Sequence, residues 1–344
     1  MRCFKASSFG VLAMIGAAGC AFEPSSSADS ATIGSTDSLD WYNNLVTAAP
    51  QRPQVYADRA QFHLRNDRTG EAMADYARVV GLDSTRVEDR HRLGEIRFSV
   101  QDFEGAVREW EGALSSNGQH TPSLLSLAEV DLLLRSYDAA LVKINSALRN
   151  DDKLEDAYFL KGRLYLETGD TTTAASSFQT VVEVNPSRYD AYIQLGLLYA
   201  AAHDDLALEY FKTARSIKAN SIEALYDEAI YLQEHGGTDG TRYASALALY
   251  DRILDLDPTN ASAAFNKGFV HLEYLNQYDS AAYWFDGAIE RLPYYHQAHY
   301  NKGLALESMG RNEDALSAYN NALSFAPAYT PAALAKGRVI AALR

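Results

Sequence analysis

A small residue returns along this chain at a fixed interval. Ala60, Gly94, Ala128, Gly162 and Gly196 stand thirty-four positions apart, and the series runs on through Ala229, Gly268, Gly303 and Gly337 with steps of 33, 39, 35 and 34. An alanine follows, in most units twelve places later, at 72, 106, 140, 174, 207, 246, 281 and 315. Four residues beyond each alanine comes a large side chain: Tyr76, Trp110, Ile144, Phe178, Phe211, Tyr250, Phe285 and Tyr319. Prolines fall near the unit ends at Pro50, Pro186, Pro258, Pro293 and Pro327.

A period of this length describes a unit too small to bury its own apolar face, so neighbouring units must stack. Two helices of about a dozen residues fit inside it, and helices that short are marginal without tertiary packing. Glycine or alanine where the helices cross lets their axes approach. The large residue four places after the alanine lies on the same helical face and is expected to fill the gap between neighbouring pairs. Proline then stops the second helix. The reading is an all-α solenoid of antiparallel helix pairs. With 47% hydrophobic and 22% charged residues the chain has apolar matter enough for such a core.

The phased pattern resembles the tetratricopeptide repeat (TPR), whose unit is a 34-residue helix pair. The best copy is Ala298-His299-Tyr300-Asn301-Lys302-Gly303, continuing through Gly310, Ala315, Tyr319, Ala322-Leu323 and Pro327. Ala264-Phe265-Asn266-Lys267-Gly268 opens another. The resemblance covers residues 37–344: a capping helix at 37–48, eight full repeats, and a closing helix at 331–343. It implies that the fifth and ninth residues of each first helix face a concave groove. In repeats 4–8 these are Phe159, Arg163, Ile193, Leu197, Tyr226, Ile230, Phe265, Phe269, Tyr300 and Leu304. Repeats 1–3 put polar and acidic groups there, including His91, Glu95 and Glu129. No repeat pairs lysine at the fifth position with asparagine at the ninth, the combination by which chaperone-tail-binding members hold a C-terminal carboxylate.

Two units break the period. One residue is missing near His203-Asp204-Asp205, and about five are added between His235 and Thr241. The added stretch (loop 235–243) reads either as a longer rim loop or as a contact loop or hinge.

The beginning of the chain reads as an address. Arg2 and Lys5 precede a short apolar run, Ala6 to Ala18, and then Ala17-Ala18-Gly19 lead into Cys20. The run is too short to span a bilayer. It resembles a bacterial lipoprotein signal over residues 1–19, with Ala17 where that pattern prefers leucine. The resemblance implies lipidation of Cys20, with ordinary cleavage or an uncleaved segment as the alternatives. Ala21, rather than aspartate, after the cysteine implies the outer membrane of a Gram-negative envelope, facing periplasm or exterior. Residues 20–36 are Ser/Ala-rich and read as a flexible tether.

The net charge of −14, from 31 basic and 45 acidic residues, argues against nucleic acid as the partner. Cys3 and Cys20 are the only cysteines, which excludes a disulfide scaffold and a cysteine-rich zinc site. No nucleophile elbow and no His-Glu-x-x-His motif occur. His296 and His299, one turn apart, read as polar rings in an exposed first turn rather than as metal ligands. The expectation is therefore no enzyme, cofactor or metal, but a lipid-anchored scaffold that binds a protein or peptide in the groove. A structural spacer that binds through its convex face, or a carbohydrate-binding accessory, are the rival readings. Oligomeric state is not legible.

Overall fold

The computed structural model describes residues 38–237 and 240–344. The signal peptide (1–19), Cys20 and the tether (20–36) expected from the sequence lie outside the described residues. Within them are eighteen α-helices and one π-helical turn, and no strand. The helices form two compact units, with described residues 38–186 in one and 187–344 in the other.

The first unit opens with α1 (Leu39–Ala48). Four helix pairs follow: α2 (Pro53–Arg65) with α3 (Thr69–Leu82), α4 (Val87–Ser99) with α5 (Phe103–Ser116), α6 (Thr121–Leu133) with α7 (Tyr137–Asn150), and α8 (Glu155–Thr168) with α9 (Thr171–Val184). The second unit begins with the pair α10 (Tyr189–Ala201) and α11 (Leu206–Ile217), then α12 (Ile222–Glu234) with α13 (Thr241–Leu256). It continues with α14 (Ala261–Phe269) and α15 (Tyr278–Arg291), α16 (His296–Ser308) and α17 (Asn312–Phe325), and closes on α18 (Thr330–Ala342). Inside each unit every helix packs chiefly on its neighbour in the chain, which is the all-α solenoid arrangement.

The small residue and the large one turn out to be partners. A Cβ added at Gly94, Gly162, Gly196, Gly268 or Gly303 would lie within 3 Å of the Trp110, Phe178, Phe211, Phe285 or Tyr319 ring respectively. The large side chain thus fills the space over the glycine of its own pair. It also meets the following pair, as Phe285 does in a cluster with Ala264 and Ala298. Seven such aromatics are almost wholly buried, each contributing about 1.5–3 kcal/mol. Their polar tips are met: Tyr250 donates to Gln233 Oε1 at 2.9 Å, Tyr319 to Glu307 Oε2 at 2.6 Å, and the Trp110 indole to the His91 carbonyl at 3.2 Å.

The turn inside each pair bends through one left-handed residue. Asp67, Gln101, Arg135, Gly169 and His203 occupy the same repeat position, with φ of 55°, 66°, 56°, 86° and 56°. Only Gly169 among them adopts that region without steric cost.

Successive pairs in the second unit are latched by charge at the seventh residue of the first helix. Glu228 accepts from Arg215 Nε at 2.6 Å, Lys267 donates to Asp251, and Lys302 donates to Asp286 at 2.5 Å. Lys267 is almost fully buried, with its Nζ 3.6 Å from the Trp284 ring centroid.

Both irregularities have local solutions. The repeat with a 35-residue step takes up its extra residue in a π turn, Val270–Tyr274, where Leu275 N–H donates to the Val270 carbonyl five residues back. The short turn at 203–205 and the long loop after His235 meet each other. Arg242 donates to both oxygens of Asp205 at 3.0 and 2.8 Å and to the His235 carbonyl at 3.1 Å. Tyr231 O–H donates to Asp205 at 2.9 Å. Residues 238 and 239 of that loop lie outside the described residues.

One reading of the sequence needs correction. His299 is not an exposed ring: it is buried, its Nε2–H donates to the Pro293 carbonyl at 2.9 Å, and it stacks on Phe325. His296 turns instead to the edge of Tyr329. The two rings serve different neighbours.

Candidate protein-binding wall

The fifth and ninth positions of the first helices fall into three groups. Ile193, Phe265, Phe269 and Tyr300 are buried in the chain's own packing. Phe265 is covered by Tyr295, stacked at 4.9 Å between ring centroids, and Tyr300 is covered by Tyr329 at 5.4 Å, edge to face. Tyr295 and Tyr329 occupy the N-cap positions of α16 and α18. Each therefore folds back over the preceding first helix. Phe159, Arg163, Tyr226, Ile230 and Leu304 are half-buried, and Leu197 is exposed at 45%.

In the first unit Phe159 meets Phe178 edge-on at 5.4 Å. Arg163 donates to Glu129 Oε1 at 3.1 Å, so the ninth positions of repeats 3 and 4 neutralise each other. Nearby, Glu88, His91, Glu95 and His120 form a polar cluster around the buried Ser123.

In the second unit the wall of α10, α12, α14 and the start of α16 carries tyrosines and carboxylates. Asn266 Nδ2–H donates to Tyr226 Oη at 2.7 Å. Tyr189 O–H lies 2.7 Å from Ser221 Oγ and donates to Glu223 Oε2 at 2.9 Å, with Lys218 Nζ over its ring. One turn after Glu223 stands Asp227. Burial and the Glu223 carboxylate push it up to about 7, and no described cation offsets them. A carboxylate kept from water without a counter-charge is costly to the fold.

Reading only the fifth and ninth positions misses Tyr189, Glu223, Asp227, Asn266 and Tyr295. The signal available was the acidic i, i+4 pair Glu223 and Asp227 with no basic residue between them. Among the described residues no group of three histidine, cysteine, aspartate or glutamate side chains could hold a metal ion. No described helix is long and apolar enough to cross a membrane.

Stacked helix pairs, each closed by a small residue and a large apolar or aromatic one, define a helical-repeat solenoid whose first helices form one continuous wall within each unit. Between residues 159 and 329 the repeats match tetratricopeptide-repeat models: one matches residues 159–222 and 239–296, and a second matches 296–329. The chain is 27% identical over 213 residues to anaphase-promoting complex subunit 3 of Schizosaccharomyces pombe, covering 60% of this chain and 30% of that protein. It is 24% identical over 253 residues to BBSome complex member BBS4 of Bos taurus, covering 73% of this chain and 47% of that protein. The chain thus spans less than half the length of either relative. Among solved structures it resembles the C-terminal part of a TPR repeat-containing protein from Cytophaga hutchinsonii, with a TM-score of 0.51 and 20% identity over 65% of this chain and 91% of that one. Tetratricopeptide repeats generally mediate protein–protein interaction.

Proposed function

We propose that this chain is a non-enzymatic, lipid-anchored envelope scaffold that holds a protein or peptide along the first-helix wall of residues 187–344. The observation that carries the reading is Asp227: a half-buried carboxylate with no counter-charge, set among Tyr189, Tyr226 and Glu223. A partner that lays a cationic or hydrogen-bond-donating group there relieves a cost the free protein bears. The exposed Leu197 and half-buried Ile230 and Leu304, at the ninth positions of α10, α12 and α16, add apolar surface to the first helices. Two relatives carry names that make them members of multiprotein complexes, which supports assembly over catalysis. The anchor rests on the sequence alone, on Cys20 behind a short apolar run, and the outer membrane on Ala21.

The test is recovery of co-purifying proteins from detergent-solubilised membranes, comparing wild type with a Tyr226→Phe, Asp227→Lys, Leu197→Ala variant. None of the three is fully buried and Tyr226→Phe keeps the ring, so circular dichroism should stay native. Loss of the same proteins from the folded variant supports the wall, and equal recovery rejects it. Mass spectrometry of the exported chain tests the anchor separately: acyl chains on Cys20 are expected, and their absence removes the lipid anchor while leaving the wall untouched.

A further inference from the structure

Between α4 and α6 five side chains form an unbroken polar chain. Ser123 Oγ lies 3.2 Å from His91 Nδ1 and 2.9 Å from His120 Nδ1. The outer ring nitrogens face carboxylates, His120 Nε2 at 3.0 Å from Glu88 Oε1 and His91 Nε2 at 3.4 Å from Glu95 Oε1. Both rings and the serine are buried, and the ring centroids are 5.3 Å apart.

Counting protons decides what this chain requires. It has four contacts, and each needs one proton between its two heavy atoms. Ionised carboxylates bring none, the serine hydroxyl brings one, and two neutral imidazoles bring one each. Three protons cannot serve four contacts, so two lone pairs must face each other at one of them, a cost in a buried site. A fourth proton, making one ring an imidazolium, satisfies every contact. It can reside on either ring. With the charge on His91, Ser123 donates to His120 Nδ1. If His91 passes its Nδ1 proton to Ser123 Oγ while the serine passes its own to His120 Nδ1, the charge moves to His120 and Ser123 donates back to His91. A fifth proton would set two cations side by side, and the serine proton would lose its acceptor.

We propose that His91 and His120 share one proton through Ser123, and that this shared proton makes the joint between α4 and α6 pH-sensitive.

The surroundings favour a single positive charge. Arg92 donates to the second oxygen of Glu95 at 2.7 Å. Burial acts against the Glu95 charge, but His91 and Arg92 outweigh it and hold the carboxyl below its usual range. Behind Arg92 stand Tyr76 of α3 and Asp89, which is tied to Arg86. From α5 the His91 ring meets the uncharged Trp110, while Glu109 is engaged with Arg90 and Arg97. With the fourth proton present every contact is met, and its loss as pH rises leaves two lone pairs facing each other in a buried site.

Glu95→Gln is the informative variant. Its amide N–H can donate to His91 Nε2, so all four contacts are met with both rings neutral. In the full chain, melting followed from pH 6 to pH 8.5 should fall by about 2–5 °C more in wild type than in Glu95→Gln. Nitrogen-15 NMR of labelled histidines in the wild type should show the His91 and His120 signals moving together over one shared step. Parallel melting profiles for the two proteins, or two histidines that titrate independently, would overturn the proposal.

Discussion

The imidazoles of His203 and His235 meet at 3.1 Å, Nδ1 to Nε2. His235 Nδ1 lies 3.0 Å from the Tyr231 carbonyl, which can only accept, so in the neutral ring Nε2 accepts from His203. The contact joins the repeat that lost a residue to the repeat that gained five. Each irregularity supplies a partner the other needs, and Asp205, bridged to Arg242 and Tyr231, reinforces the junction.

Asp205 is the first residue to test. Arg242 and Tyr231 hold its carboxyl down to about 2, so what it contributes is present above the ordinary carboxylate range and is lost as pH falls through the folded value. Asp205→Asn should speed hydrogen exchange at the described amides of 235–243. Wild type should approach the variant's rate only as pH is lowered towards about 2, with the rest of the chain unaffected at neutral pH.

Close approach at the crossings predicts opposite signs at two glycines. Gly196→Leu drives a side chain into the Phe211 ring, where even a Cβ would lie 2.4 Å away, and should cost about 1–3 kcal/mol. Gly337 has nothing within 4 Å of where its Cβ would be. Gly337→Leu should stabilise by about 0.5–1 kcal/mol through helix propensity alone. Denaturant unfolding of both variants checks the register at both positions.

The left-handed turn position gives a second such pair. Gln101→Gly and Arg135→Gly should each stabilise by about 0.5–1 kcal/mol, since the native φ of 66° or 56° strains an L-residue. Gly169→Ala, at φ 86°, should cost about 1 kcal/mol. Thermal melts at neutral pH distinguish the signs.

Asp227 predicts a pH dependence. With its carboxyl raised to about 7 by burial and Glu223, the folded state keeps a proton that the unfolded state has released, so this residue lowers stability as pH rises from about 4 to 7. Asp227→Asn should stabilise the protein by about 2–4 kcal/mol at pH 8 and by little at pH 4. Equal effects at both pH values would place Asp227 in water.

The repeat was legible because its chemistry recurs: a glycine or alanine faces a large side chain each time, aromatic in seven pairs and Ile144 in the eighth. The capping and closing helices, Leu39–Ala48 and Thr330–Ala342, accordingly fall within two residues of the positions read from the period. The latches were not legible, because each exchanges its charges. Glu228 with Arg215 has the acid on the first helix, while Lys267 with Asp251 and Lys302 with Asp286 have the base there. No residue type repeats, although the contact does. The wall was half legible. Spacing picks out the face on which Phe265 and Tyr300 lie, but not that Tyr295 and Tyr329, from the start of the next first helix, close over them. Burial here is decided thirty residues downstream of the residue being buried.

The π turn at Val270–Tyr274 has a consequence for how such chains change length. One surplus residue is swallowed inside a single widened coil, and the next two first helices, beginning at His296 and Thr330, again start thirty-four positions apart. An odd insertion is thereby confined to the pair that received it. The next pair keeps Gly303 beneath Tyr319, and a one-residue accident in one repeat leaves its neighbour undisturbed.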